Sequence, residues 1–254
     1  MLAALFAPTL ALWYGWNAVL GLAMLPLAAT LVIYLLLARD APDCPPAKSL
    51  TAYLEVLRDR DAWWFMFFYA VTFGGFVGLA SSLTIYFNDE HGLSPVTAGL
   101  FTAAAVFAGS FVRPVGGLVA DRIGGIRTLT MMYLSAAAWL MIASFDMPHA
   151  SLALALFMLA MLSFGVGNGA VFQLVPQRFR KEIGVMTGLV GMAGGIGGFY
   201  LASSLGYSKQ ITGSYQPGLL AFAALALVAV SGLTFVKGRW RTTWGAAHLT
   251  RAKI

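Results

Sequence analysis

Residues 117–127 read Gly117-Leu118-Val119-Ala120-Asp121-Arg122-Ile123-Gly124-Gly125-Ile126-Arg127. Asp121, Arg122 and Arg127 crowd into this turn, and the apolar runs on either side, 96–119 and 126–145, hold one further charge, Arg113. At 1.5 Å per helical residue each run crosses a hydrocarbon core about 30 Å thick. The stretch is therefore a charged turn between two membrane-crossing helices. Further spans are predicted outward from it at 17–37, 63–87, 150–174, 184–206 and 217–236. Composition agrees: 59% of the 254 residues are hydrophobic, 10% are charged, and the mean hydropathy is +0.79. Soluble domains carry about 25% charged residues, so a soluble domain is excluded. One cysteine, 28 scattered glycines and ten prolines exclude a disulfide scaffold and a collagen. Long unbroken runs, rather than alternating ones, predict an all-α polytopic membrane protein.

The net charge of +6 reports topology rather than a nucleic-acid partner. Arg39, Lys48, Arg58 and Arg60 share one connection, Arg122 and Arg127 a second, and Arg178, Arg180 and Lys181 a third. Lys237, Arg239, Arg241, Arg251 and Lys253 form the tail. Fourteen of the sixteen cations thus fall in every second connection, and the intervening ones hold only Lys209. This is the positive-inside pattern. It predicts a multi-pass protein of the inner (plasma) membrane with a cytoplasmic carboxy terminus, embedded in the lipid bilayer. Cys44 falls in the first basic loop, where a thiol stays reduced.

Four segments are expected: 1–37, 38–61, 62–237 and 238–254. In the second, Asp43-Cys44-Pro45-Pro46 breaks any helix, and Leu50, Tyr53, Leu54 and Leu57 then mark a short amphipathic helix on the membrane surface. Trp63, Trp64, Trp240 and Trp244 are placed at the inner interface, Trp13 and Trp16 at the outer one. Residues 1–12 are apolar but cover half a span. No cation precedes Arg39, so they read as part of a helix rather than as a signal peptide.

Arg113 is the one cation placed inside a span, roughly 12 Å from the inner loop. A buried arginine is costly unless it snorkels, bonds a carbonyl or faces a wet cavity. No Asp or Glu lies within the spans to neutralise it, so an anion site is expected, and a guanidinium fork suits a planar oxyanion. Without intramembrane carboxylates a proton relay is disfavoured, and His91, His149 and His248 read as solvated. Tyr69 and Phe73 share a helix face; they either face lipid or core, or line the cavity of Arg113. Gly74 and Gly78 form a close-packing pair. Gly184, Gly188, Gly191, Gly195 and Gly198 recur as one bare stripe, with Gly194 and Gly197 beside it, a pattern for close helix approach or for a helix that slides beside a substrate path. Asn168, between Gly167 and Gly169, is either an interhelical hydrogen bonder or a second polar group of the site. No metal cluster, cofactor motif, phosphate loop or catalytic constellation is found, and an enzyme is not expected.

The turn at 117–127 resembles the G-x-x-x-D-R-x-G-x-x-R signature of the major facilitator superfamily, carried here by Gly117, Asp121, Arg122, Gly124 and Arg127. The motifs Tyr69-Ala70-Val71-Thr72-Phe73-Gly74-Gly75-Phe76, Phe111-Val112-Arg113-Pro114-Val115-Gly116-Gly117, Gly165-Val166-Gly167-Asn168-Gly169-Ala170-Val171-Phe172-Gln173 and Gly194-Gly195-Ile196-Gly197-Gly198-Phe199-Tyr200 are similar to the nitrate/nitrite porter (NarK-type) family. The resemblance implies a carboxy-terminal six-helix bundle preceded by one and a half helices: part of the fifth and all of the sixth of a twelve-helix plan. It implies that Arg113 holds nitrate or nitrite against a second arginine from an amino-terminal half and that Tyr69 and Phe73 line the site; Asn168, Gly194, Gly195 and Gly198 are taken as further candidate residues of that site. Ala202 stands where the family motif ends in proline, so a weaker bend is expected there. The expected function is alternating-access nitrate/nitrite transport, incomplete in this chain alone and needing an amino-terminal half. A transport-inactive fragment, a membrane interaction subunit or a carrier of another small anion are the alternatives.

Overall fold

The computed structural model describes residues 2–39, 54–145 and 147–246. Its helices are α1 (Leu2–Leu37), α2 (Arg60–His91), α3 (Pro95–Phe111), α4 (Arg113–Ile123), α5 (Gly125–Ala143), α6 (Ala150–Arg178), α7 (Ile183–Thr212) and α8 (Gln216–Thr242). Among the described residues, seven stretches are long and apolar enough to cross a membrane, with α3 and α4 acting as one. The sequence reading of the fold class stands; several boundaries move. Helices α6, α7 and α8 run past the expected span ends, so the tail expected to start at residue 238 begins as helix. The expected amphipathic helix lies mostly outside the described residues, as do Cys44 and His248. Within the described part, Leu54 leads into a single 3-10 turn, Glu55–Arg58, whose Val56 is buried.

Two breaks were not anticipated in form. Gly15 takes φ 77°, so α1 is two helical pieces joined at a glycine. The first piece packs on α3, where Pro8 and Ala4 lie over Gly99; the second exposes almost every side chain. The expected span 96–119 is also not continuous. Pro114 has no N–H to donate to the preceding turn and its ring crowds it, so α3 stops at Phe111 and α4 restarts at Arg113.

Helix α2 is the axis of the bundle. It crosses α7 backbone to backbone: a Cβ on Gly197 would lie 2.0 Å from the Ala70 carbonyl oxygen, and one on Gly74 2.5 Å from the Gly197 backbone. The face of α7 that makes this approach is Gly194, Gly197 and Gly198. Of the expected stripe, Gly198 joins this approach, while Gly184, Gly188, Gly191 and Gly195 are exposed with open space around them among the described residues. The close approach thus runs mainly through the neighbouring face of Gly194 and Gly197. Helices α3 and α4 wrap around α6 in the same manner, with Gly165 against the Gly109 carbonyl and Gly169 against the Arg113 carbonyl.

Both ends of α2 are tied. At the end where the arginines gather, Asp61 is 5% exposed and accepts from Arg178 Nε (3.0 Å), Trp240 Nε1 (2.8 Å), Trp244 Nε1 (3.2 Å) and Arg239 Nη2. Trp240 is fully buried and stacks on Phe65 at 4.8 Å. It and Trp64, whose ring lies under Gly232, are packing groups rather than members of an interfacial belt; Trp63, Trp13 and Trp16 are exposed as a belt requires. At the other end Asp89 accepts from Tyr215 Oη at 2.8 Å, and Glu90 pairs with Lys209. Burial, then the bond to Asp89, pushes the Tyr215 phenol well above its ordinary range. His91 is not solvated as expected: its ring packs on Tyr86 and Phe87.

Gly197→Ala is expected to lower stability by about 1–3 kcal/mol, since the helices must separate to admit the methyl. Gly188→Ala, with open space around it, is expected to leave stability unchanged or raise it by up to about 1 kcal/mol. Thermal unfolding of both variants in one detergent checks the contrast.

Candidate functional site

The break at Val112 places Arg113 on the first turn of α4, and the crossing with Gly169 of α6 fixes its backbone. Its side chain reaches α2, where the guanidinium carbon lies 4.3 Å from the centroid of Phe76 and 5.3 Å from that of Phe73. Arg113 makes no ion pair among the described residues, and its Nε is buried without a hydrogen-bond partner there. An arginine held by ring faces keeps its donors unspent, and each desolvated cation–π contact is worth about 2 kcal/mol.

Tyr69 and Phe73 stack one turn apart on α2, with centroids 5.1 Å apart. The Cβ-free surface of Gly194 lets α7 lie against both rings: a methyl there would meet Phe73 at 2.7 Å and Tyr69 at 2.8 Å. The edge of Phe172 closes on Tyr69 at 5.0 Å. The structure thus brings Arg113, Tyr69, Phe73 and Gly194 into one continuous set of contacts. Gly198 packs instead on Val77, and Gly195 faces open space, so neither touches the ring pair.

Asn168 is 3% exposed, and neither its amide nitrogen nor its amide oxygen has a partner among the described residues. The expected interhelical hydrogen bond is not made. The residue sits on α6 one turn from Phe164, whose ring underlies Gly75, and one turn from Phe172. That row of side chains faces α2. An unpaired buried amide costs roughly 1–3 kcal/mol, so the bundle keeps two under-bonded donor groups near its aromatic wall.

A cavity of about 590 Å³ lies between the turn at 117–127 and α6. Phe172 is at its head, Gln173 and Gln177 lie along its wall, and Asp121 and Arg180 line it as well. Within the turn, Gly124 at φ 104° makes the reversal between α4 and α5, while Asp121, Arg122 and Arg127 are exposed and Gly117 has open space around it. Phe76, Phe172 and the buried Asp61 were not singled out from sequence. Phe76 could have been, since it follows Phe73 at the i+3 spacing that shares a face.

The Major Facilitator Superfamily model matches residues 1–202. The chain belongs to the major facilitator superfamily. It is 31% identical over 223 residues to the nitrite extrusion protein of Bacillus subtilis, covering 88% of this chain and 56% of that one. It is 33% identical over 232 residues to the probable nitrate/nitrite transporter NarK2 of Mycobacterium tuberculosis, covering 90% and 59%. It is 32% identical over 199 residues to the probable nitrate/nitrite antiporter NarK1 of Thermus thermophilus, covering 71% and 44%. The chain thus spans about half the length of these superfamily relatives. The match takes in α1 and ends within α7, and the turn at 117–127 lies inside it, beside the cavity lined by Phe172 and Gln173.

Asp61 and Asp59 offer a test of how that bundle is held. Asp61→Asn removes the charge facing Arg178 and Arg239, and is expected to cost about 2–4 kcal/mol, at the lower side because both arginines are partly exposed. Asp59 also pairs with Arg178, and its carboxylate caps α2 by accepting from Asp61 N. Asp59→Asn keeps a capping oxygen and is expected to cost under about 1 kcal/mol. Denaturant unfolding in detergent compares the two.

Proposed function

We propose that this chain carries one face of the substrate cradle of a nitrate/nitrite transporter. The observation that carries the reading is Arg113: a membrane-level guanidinium with no carboxylate paired to it among the described residues, walled by Phe73 and Phe76, beside Tyr69. A planar oxyanion such as nitrate or nitrite can accept two parallel N–H bonds from the fork. Tyr69 Oη and the Asn168 amide would add donors, and the Gly194 surface lets the rings close on an ion of that size. The names of the similar proteins point to the same substrates. The superfamily resemblance supplies the other face: an amino-terminal half with an opposing arginine, the two halves rocking about the anion. The cavity from Phe172 to Arg180 then forms the aqueous approach from the basic, cytoplasmic side. Nothing in this arrangement calls for a cofactor, and the reading is transport rather than catalysis.

Labelled-nitrate uptake by this chain co-expressed with a separately supplied amino-terminal half tests it. Arg113→Ala is expected to reduce uptake at least a hundredfold, since it removes the guanidinium proposed to hold the anion. Arg113→Lys keeps charge but not the fork, and is expected to lose about tenfold. Tyr69→Phe, which deletes one hydrogen bond to an anion, is expected to raise KM about tenfold with less effect on the maximal rate. Normal uptake by Arg113→Ala sinks the site; full uptake by the lone chain sinks the need for a second half.

A further inference from the structure

A second cavity, about 480 Å³, lies at the basic end where the start of α2 meets the ends of α6 and α8. Four arginines, Arg58, Arg60, Arg178 and Arg239, line it together with Asp59 and Asp61. The two carboxylates are already engaged: Asp61 holds Arg178, Arg239 and both indoles, and Asp59 holds Arg178. Arg58 and Arg60 make no ion pair among the described residues and are exposed. The cavity therefore has a satisfied, rigid floor and a surplus of two cations at its rim.

Its surroundings say what kind of anion fits. Leu54, 59% exposed, precedes the turn that ends at Arg58, and Trp63, 57% exposed, donates its indole N–H to the Leu57 carbonyl of that turn at 2.8 Å. Trp244 forms part of the lining. Arginines facing a hollow, with exposed apolar and indole groups beside it at helix ends, match a phosphate that carries a hydrocarbon body. Basic pockets between helix ends on the cytoplasmic side bind such headgroups. Nitrate needs none of that apolar border.

We propose that this cavity binds a phosphate group, presented as the headgroup of an anionic phospholipid. Arg58 and Arg60 supply the charge-assisted donors. The Asp61 cluster holds Arg178 and Arg239 so that their outer faces add to the positive field. A lipid seated there would join the turn before α2 to the ends of α6 and α8. The site is independent of the substrate reading, because it shares no residue with the Arg113 cradle.

The test is native mass spectrometry of the full chain in neutral detergent, titrated separately with phosphatidylglycerol, phosphatidylcholine and inorganic phosphate. The expected result is a saturable phosphatidylglycerol adduct that phosphatidylcholine does not reproduce. At about 1 kcal/mol per arginine, Arg58→Gln with Arg60→Gln is expected to weaken that adduct roughly 30-fold. Lys237→Gln with Arg241→Gln removes the same charge from exposed positions outside the cavity and is expected to change it by under about twofold. Unchanged thermal unfolding of both double variants shows that the fold is kept. Equal binding of phosphatidylcholine, or equal losses in the two double variants, overturns the site. Binding of inorganic phosphate alone, with no phosphatidylglycerol adduct, overturns the lipid as its source.

Discussion

The crossing of α2 over α7 at Ala70, Gly74 and Gly197 is the contact on which the rest of the bundle depends. No side chain stands between the two backbones there. In a bilayer, where apolar side chains gain little by leaving lipid for protein, such close approach is a main source of helix association. It has a direct consequence one turn away. With α7 this near, Gly194 leaves room for the Tyr69 and Phe73 rings and nothing larger, so the rings stack along α2 and present their edges and faces toward Arg113. The geometry of the proposed cradle follows from the absence of three Cβ atoms.

A charge inside a membrane is the second constraint. Insertion scales put an arginine at mid-membrane at about 2.5–3.5 kcal/mol. The rings of Phe73 and Phe76 offset part of that cost without taking up the N–H donors. A carboxylate would have offset more, but it would also have occupied the fork. The carboxylates instead stand at the two ends of α2, Asp61 at one and Asp89 with Glu90 at the other, where they tie helices together. Structural charge and the proposed substrate charge are thus kept apart along one helix.

Much of this was legible in the residues. Run lengths located the seven apolar stretches of the described residues, because span length follows from the bilayer as solvent. Arg113, Tyr69, Phe73 and Gly194 were legible because each is an anomaly in its span or belongs to a family motif. The misses share a cause: periodicity shows that a face exists, not which neighbour it meets. The glycine stripe through Gly184 and Gly195 has the cleaner spacing, yet α2 lies on the adjoining face. Trp240 and Trp64 stand at the ends of apolar runs, where a belt is expected, and only tertiary packing shows that one bonds Asp61 and the other lies against Gly232. Asp61 read as a loop residue because it precedes the apolar run, while the fold folds that loop edge inward. Pro114 breaks the span beside Arg113, so a depth counted along one straight helix does not hold there.

The ties also bear on where the proposed transport motion can occur. Helix α2 is fastened at both ends and joined to α7 in the middle, and α4 is seated on α6 through Gly116 and Gly169. Those contacts are backbone-close, and sliding along them would raise Cβ or carbonyl clashes within a fraction of a turn. On the proposed reading these ties would make the bundle move as one body. Two surfaces on which no described residue packs are open to a moving partner: the bare side of α7 along Gly184, Gly188, Gly191 and Gly195, and the apolar second piece of α1. On the proposed reading, that glycine side is where the opposing half slides. Its lack of side chains then serves motion between bundles, as the face through Gly197 serves cohesion within one.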